Sequence, residues 1–350
     1  MAILIDGKAV AARKMEELKQ RVDALNAKGK YPSLRVVQVG NDPASTVYIR
    51  QKRKACEALG IDCFHNILQA NITQEELEQQ LLEWQGGMDT YTSGLIVQLP
   101  LPNGLDPNAA CETIWPDVDV DGLSSMSIGA IANGDMGGFI PCTAKGILAL
   151  LKAYNVPLKG KHAVVVGRSN IVGKPVSMLL LNEDCTVTIC HSKTGNLFSC
   201  TRQADILIVA AGKPHMIDCY AVKPGAAVID VGINRRPDGT LCGDVDFDSV
   251  DQIAGWITPV PGGVGPMTVA MLMENVVMAE ERRRWLDRAG IQTASGGEQE
   301  HPLGVEEVAS TLQMGTGASA RGHACAAFRQ GVPHGGAATG GFQSALCVSA

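Results

Sequence analysis

Residues 163–175 read Ala-Val-Val-Val-Gly-Arg-Ser-Asn-Ile-Val-Gly-Lys-Pro, and Val176-Ser-Met-Leu-Leu-Leu181 follows. The apolar run is a buried strand, Gly167 opens a turn, and the apolar spacing after Gly173 starts a helix. Strand, glycine-bearing turn and helix start, in that order, mark the place where a doubly wound sheet binds phosphate. The spacing is Gly-x5-Gly, not the common G-x-G-x-x-G, and Arg168 stands where small residues are usual.

The flanking sequence extends this unit in both directions. A helix is expected over 143–154, and strands over 162–167, 185–190, 204–210 and 226–231, so residues 141–262 form a nucleotide-binding half. Its second strand, Thr186-Val-Thr-Ile-Cys190, ends in His191-Ser-Lys-Thr194. An acidic residue that would bond the ribose hydroxyls of NAD is absent there. Ser192, Lys193 and Arg168 can serve a 2′-phosphate instead, which favours NADP.

Upstream, a strand lies within Met1–Gly7, and Lys8 to Asn26 carries Val10, Met15, Leu18, Val22 and Leu25 at helical spacing. Leu34–Val39 is a strand that ends in a turn at Gly40-Asn-Asp-Pro43. Ser45 or Thr46 is expected to cap a helix that runs to Leu59 and stops at Gly60. Thr73-Gln-Glu-Glu76 is a capping box for a helix over Ile72–Trp84. Gly94–Gln98 is a buried strand halted by Pro100 and Pro102. Strand and helix alternate, so a parallel α/β domain fills the first 120 residues. The long helix Met267–Arg288, after the loop Gly262-Gly-Val-Gly265, is expected to return onto it. The fold class is therefore α/β. Two domains, 1–120 plus 267–290 and 141–262, border a cleft, and the second is a Rossmann-like doubly wound parallel sheet. Residues 291–350, rich in Gly, Ala, Ser, Gln and His without a period, read as a disordered tail.

The formal net charge of −6 gives no electrostatic footprint for nucleic acid. The 11 cysteines lack a CxxC pair or a His/Cys cluster at ligand spacing, which fits reduced thiols in a cytosol and no bound metal. The N-terminus lacks the pattern of a signal peptide, and no apolar run approaches ~20 residues, so neither secretion nor a membrane span is expected.

Tyr48 and Lys52, four apart on a helix, share one face. They are either an aromatic platform beside a lysine acting as acid or base, or a surface pair. Arg50, Arg53 and Lys54 lie near Lys52 in sequence, and like charges and burial favour loss of an ammonium proton. Gln98, at the carboxyl end of its strand, can present its amide to a ligand, to Lys52 or to a nearby loop. Asp117, Asp119 and Asp121 alternate with valines, so an extended chain puts all three carboxylates on one side. They bind an NH-rich heterocycle or form a solvated turn, and the oxygen ligands of a calcium loop are missing.

With these pieces in order, the chain resembles the bifunctional methylenetetrahydrofolate dehydrogenase/methenyltetrahydrofolate cyclohydrolase family. The matching stretches are Val39-Gly-Asn-Asp-Pro-Ala-Ser45, Tyr48-x3-Lys52, Gly94–Pro102, Asp119-Val-Asp-Gly122, Pro141-Cys-Thr143, Gly167–Pro175, Asp230-Val-Gly-Ile-Asn234 and Pro259–Thr268, in family order over residues 1–288. The resemblance implies NADP-dependent oxidation of 5,10-methylenetetrahydrofolate and hydrolysis of the product to 10-formyltetrahydrofolate, by a cytoplasmic homodimer. It implies that Lys52 is the catalytic lysine, that Tyr48 stacks on the substrate's aminobenzoyl ring, that Gln98 polarises or orients Lys52, and that Asp121 bonds the pterin. Val97, Gln98 and Leu99 on one side and Pro261, Gly262, Gly263, Val264 and Gly265 on the other would border the folate. Gly167, Arg168, Ser169, Gly173, Ser192 and Ile233 would hold NADP.

Three departures stand out: Val118 where a lysine is frequent, Ser124-Ser-Met-Ser127 for His-Pro-x-Asn, and Ala144 for a proline. All lie in the connector or the first turn of the second domain, where they bear on hinge geometry and substrate affinity. A short-chain dehydrogenase also uses Tyr-x3-Lys, but there the pair follows the dinucleotide turn, whereas Tyr48 precedes Gly167. A non-catalytic relative is the other alternative, and the presence of Lys52, Gln98 and Asp121 argues against it.

Overall fold

The run before Gly167 is a strand because both of its faces are covered. Ala163 and Val165 enter one apolar cluster while Val164 and Val166 enter another, the two-sided burial typical of parallel sheets. The structure is a computed structural model, and it describes residues 1–86 and 92–288. The tail expected over 291–350 lies outside the described residues.

In chain order the first elements are β1 (Ile3–Leu4), α1 (Gly7–Asn26), β2 (Ser33–Val39), α2 (Pro43–Leu59), β3 (Asp62–Leu68), α3 (Gln74–Gly86) and β4 (Gly94–Val97). Then come α4 (Pro107–Glu112), α5 (Ser125–Ala132), α6 (Cys142–Ala153), β5 (His162–Val166), α7 (Gly173–Asn182), β6 (Thr186–Cys190) and α8 (Leu197–Thr201). The last are β7 (Ile206–Val209), β8 (Ala227–Asp230), β9 (Asn234–Arg235), β10 (Leu241–Cys242), α9 (Phe247–Val250), β11 (Trp256–Ile257) and α10 (Val264–Arg288).

Strands β3-β2-β4 form a three-stranded parallel sheet. A six-stranded sheet runs in the order β1-β11-β8-β7-β5-β6, and every pairing in it is parallel. The chain leaves β5 toward β6 on one side and returns to β7 on the other. The carboxyl ends of β5 and β7 therefore flank a topological switch point, where such sheets bind ligands.

The expected boundary of the first domain fails at its start. Ile3–Leu4 pairs with Trp256–Ile257 at the edge of the six-stranded sheet and joins neither β2 nor β4. Two residues carry too little pattern to reveal a partner some 250 positions away. Strand β3 was not anticipated either. It is an edge strand with exposed Phe64 and Ile67, so its pattern lacks a clean apolar face.

Helix α2 starts one turn earlier than expected. Asp42 is its N-cap, its carboxylate accepting from the Ser45 N–H at 2.7 Å, and Pro43 occupies the first turn, where its missing N–H costs nothing. The capping box of α3 is reciprocal: Glu76 Oε2 accepts from the Thr73 N–H, and Thr73 Oγ1 from the Glu76 N–H. Helix α10 packs on α1 and, less extensively, on α2, as expected, and most extensively on α6. Residues of α1, α2, α6, α7 and α10 share one core with β2, β5, β7 and β8. Among the described residues no helix is long and apolar enough to cross a membrane.

Candidate active site

Helix α2 carries Tyr48, Lys52 and Cys56 at successive turns of one face. Tyr48 is half-buried and Lys52 is 1 % exposed. Lys52 Nζ donates to Gln98 Oε1 at 3.0 Å. The glutamine follows the last residue of β4, and its Nε2 donates to the Leu99 carbonyl at 2.8 Å, which turns the amide oxygen toward the lysine. Of the three partners left open for Gln98, this joins Lys52 and a neighbouring carbonyl. Arg50, Arg53 and Lys54 point away from Lys52, into a solvent-facing hollow shared with Glu57 and Asp62. The cations expected beside Lys52 thus belong to the outer face of the helix.

The three aspartates do not lie on one side, because the segment turns. Asp117 is exposed, while Asp119 and Asp121 are buried. Asp119 accepts from the N–H groups of Gly122, Leu123 and Ser124 and from the Ser127 hydroxyl. It is a structural latch, and burial raises its carboxyl even against those bonds. Two of the serines that depart from the family pattern serve that latch: Ser124 caps α5, and Ser127 reaches back to Asp119. The Val118 carbonyl accepts from the Leu95 N–H at 2.9 Å, and Ala144 is buried in α6. Asp121 lies by the buried Cys142 thiol, which burial first, and then the Asp121 charge, holds well above its usual range. The Lys52 charge acts on the same thiol in the opposite sense.

A cavity of about 710 Å³ opens beside Tyr48. The loop Pro259–Pro266, with Gly262 to Gly265 at its centre, forms one wall, and Val231 to Arg235 another. Burial raises the Tyr48 phenol, and Arg235 nearby partly offsets this. Lys8, Gln51, Asp230, Arg235 and Leu241 also line the cavity and were not anticipated. Of these, Asp230 alone had a signal, since it opens Asp230-Val-Gly-Ile-Asn234. Val97 is buried and Leu99 partly so in the small cluster under the three-stranded sheet, away from the cavity wall. Any ligand they meet is met through their backbone.

At the switch point the turn after β5 is packed backbone on backbone. Gly167 has φ +135, and a Cβ there would come 2.3 Å from the Ala210 carbonyl oxygen at the end of β7; one on Gly173 would come 2.4 Å from the Gly167 oxygen. Only glycine fits both positions. Ser169 Oγ accepts from the N–H groups of Val172 and Gly173 and so closes the turn. Arg168 and Ser192 are exposed, on the turns after β5 and β6. Ile233 lies across, on the cavity wall. This is a cradle without side chains, rimmed by a cation and hydroxyls, and it suits the phosphates of a dinucleotide.

Residues 5–121 match the catalytic domain of tetrahydrofolate dehydrogenase/cyclohydrolase, and residues 141–284 match its NAD(P)-binding domain. The bifunctional protein FolD of Halalkalibacterium halodurans is 54% identical over 278 residues, 79% of this chain and 98% of that protein. The bifunctional FolD enzyme of Campylobacter jejuni, a methylenetetrahydrofolate dehydrogenase/cyclohydrolase, superposes with a TM-score of 0.79 at 46% identity. The match covers 81% of this chain and all of that one (100%). FolD of Trypanosoma brucei, solved with NADP cofactor and inhibitor, gives a TM-score of 0.77 at 40% identity, covering 81% of this chain and 98% of that one.

Two buried carboxylates brace the cavity wall. Asp244 accepts from the N–H groups of Ala211, Gly212 and Lys213 and from Asn234 Nδ2. Asp230 accepts from those of Gly232, Asp244 and Val245. Burial, with the Asp244 charge adding to it, raises the Asp230 carboxyl from 3.8 to about 7 despite the N–H bonds. The folded state therefore holds this proton more tightly than the unfolded chain does. That contribution to stability is complete below about pH 4 and is lost as pH rises through about 7. The melting temperature of Asp230→Asn, whatever its absolute value, should decline less across this window than that of the parent protein. Equal slopes would show that Asp230 does not titrate there.

Proposed function

The chain belongs to the tetrahydrofolate dehydrogenase/cyclohydrolase family, and on that premise we propose how its residues divide the work. It oxidises 5,10-methylenetetrahydrofolate to 5,10-methenyltetrahydrofolate in an NADP-dependent reaction and hydrolyses that cation to 10-formyltetrahydrofolate. The observation that carries the division is the buried Lys52 ammonium on the Gln98 amide oxygen, one helical turn from the ring of Tyr48.

NADP+, when bound, accepts the hydride from the one-carbon bridge. The Gly167–Gly173 turn would take its phosphates, Arg168 and Ser192 its 2′-phosphate, and Ser169 and Ile233 the remainder. The folate would enter at the Tyr48 end of the cavity and extend from there toward Lys52, Gln98 and Asp121. Tyr48 stacks on its aminobenzoyl ring, Asp121 accepts hydrogen bonds from the pterin, and the backbones of Val97, Gln98, Leu99 and Pro261 to Gly265 enclose it.

Hydride transfer depends above all on alignment of the two bound rings. Hydrolysis needs more. Water adds to the methenyl carbon and gives up one proton; as the carbon–N5 bond breaks and the formyl C=O forms, the second water proton passes to N5, which is left as a neutral N–H. The net release is one proton. Lys52 handles the proton, and Gln98 fixes the position of its amine.

A homodimer suits the family. The edge strand β3, with exposed Phe64 and Ile67, is a surface a second copy can cover. We place the protein in the cytoplasm, where its described cysteines, all free, remain reduced.

Lys52→Met should lose hydrolysis of 5,10-methenyltetrahydrofolate by on the order of 10²–10⁴-fold, as for removal of a general acid–base group, while NADP+ still binds. Lys52→Arg should not restore it, since a guanidinium stays protonated. Hydrolysis by Lys52→Met near the parental rate would remove Lys52 from the proton-transfer role. Arg168→Ala, which removes a charge-assisted contact of about 1.5–3 kcal/mol, should raise KM for NADP+ by roughly one to two orders of magnitude and leave NAD+ kinetics little changed. Equal losses with both cofactors would mean that Arg168 shapes the turn and does not read the phosphate.

A further inference from the structure

The chain passes once from the three-stranded side of the molecule to the six-stranded side, between β4 and β5, and two connector segments of that passage lie against each other. The first, 118–124, is fastened to β4 by the bond from Leu95 N–H to the Val118 carbonyl and wound around Asp119. The second, 138–141, leads directly into α6. They cross without a gap. Gly122 has φ +69, and a Cβ there would come 2.8 Å from the Ile140 carbonyl carbon and the Pro141 nitrogen.

One side chain binds both segments at the crossing. Asn275 of α10 is 0 % exposed. Its Nδ2 donates to the Val120 carbonyl at 2.8 Å and to the Ile140 carbonyl at 3.1 Å. Its Oδ1 accepts from Lys145 Nζ, on α6, at 2.8 Å. The lysine also pairs with Glu274 at 2.7 Å, and Glu274 with Lys14 of α1 at 3.1 Å. The amide thus uses both donor hydrogens and its oxygen, each on a different piece of chain, and an unpaired buried amide would be costly. Its Nδ2 also lies 3.7 Å from the buried Cys142 sulfur, beside Asp121; none of the residues assigned to substrate, cofactor or proton transfer touches Asn275.

We propose that Asn275 is a positioning residue for hydride transfer. By tying both connectors to α10 it fixes the spacing between the folate site on α2 and β4 and the cofactor turn after β5. The inference rests on the assignment of those two sites. Its consequence is selective, because the two reactions differ in what they require. Hydride transfer joins two molecules held on opposite sides of the crossing, and a misplacement of about 1 Å can cost on the order of 10²-fold. Hydrolysis uses Lys52 and Gln98, both on one side. Asp121 stays anchored there by the Val118–Leu95 bond and by the Asp119 latch, even when the Asn275 bonds to Val120 and Ile140 are both lost.

The test compares the two activities in the full-length protein carrying Asn275→Leu or Lys145→Met. The leucine is similar in size and makes no hydrogen bonds; Lys145→Met keeps the asparagine and removes the group that orients it, together with the Glu274 ion pair. With both substrates saturating, Asn275→Leu should lower kcat for NADP+-dependent oxidation at least about tenfold. Hydrolysis of 5,10-methenyltetrahydrofolate should stay within about threefold, and the Kd for NADP+ should not change. Lys145→Met should shift the ratio of activities in the same direction by a smaller factor, and it decides the matter if Asn275→Leu does not fold. Parallel losses of both activities in a folded variant, or an unchanged ratio, would overturn the proposal. Absence of NADP+-dependent oxidation in the unaltered protein would instead overturn the functional assignment on which it rests.

Discussion

A single buried lysine on a single amide oxygen is the constraint around which the candidate active site is arranged. Withdrawing an ammonium from water costs several kcal/mol even after relaxation, yet Lys52 sits at 1 % exposure with Gln98 Oε1 3.0 Å away. The helix that carries it is otherwise conventional. Ile49, Cys56 and Leu59 are buried apolar positions around the same axis, and the cations Arg50, Arg53 and Lys54 face solvent. A leucine at position 52 would pack the core as well. Lysine there is a cost to stability that makes sense as chemistry. The supporting contacts follow from it. Gln98 must end a strand that cannot shift, so β4 lies beside β2, and its amide is fixed by the Leu99 carbonyl.

The second requirement is the cradle at the switch point. The Gly167–Gly173 turn leaves no room for a side chain, so its rim belongs to Arg168, Ser169 and the turn at Ser192. The two candidate sites sit on separate sheets, and one cavity is lined by Tyr48 from one side and Ile233 from the other. The core that unites α1, α6, α7 and α10 with strands of both sheets keeps the sheets from drifting apart. One-carbon chemistry on two bound molecules needs that fixed frame more than it needs further reactive groups.

Much of this was legible in the sequence, and for identifiable reasons. Strands β5, β7 and β8 are buried on both faces and read as unbroken apolar runs, and the glycine spacing marked the turn. Tyr48 and Lys52 fell on one face because helix periodicity is strict. What escaped depends on tertiary partners. Ile3–Leu4 has its pairing partner at the far end of the body. The cap at Asp42 was passed over for the later hydroxyls, although Asp-Pro is itself a start signal. Alternation misled at Asp117, Asp119 and Asp121, since it presumes an extended chain and Asp119 instead folds the segment around its own carboxylate. Asp244 bonds to backbone groups some 30 residues away, and Asn275 to carbonyls well over a hundred away. No local pattern encodes such contacts.

The central claim is that Lys52 works through its contact with Gln98, and the contact can be removed without touching the lysine. The direct measurement is the rate at which the full-length Gln98→Leu protein hydrolyses 5,10-methenyltetrahydrofolate, with NADP+ binding as the check on folding. The account predicts a fall of at least about tenfold, toward the range of a lost acid–base group, with NADP+ affinity intact. Hydrolysis at the parental rate in a protein that still binds NADP+ would contradict it.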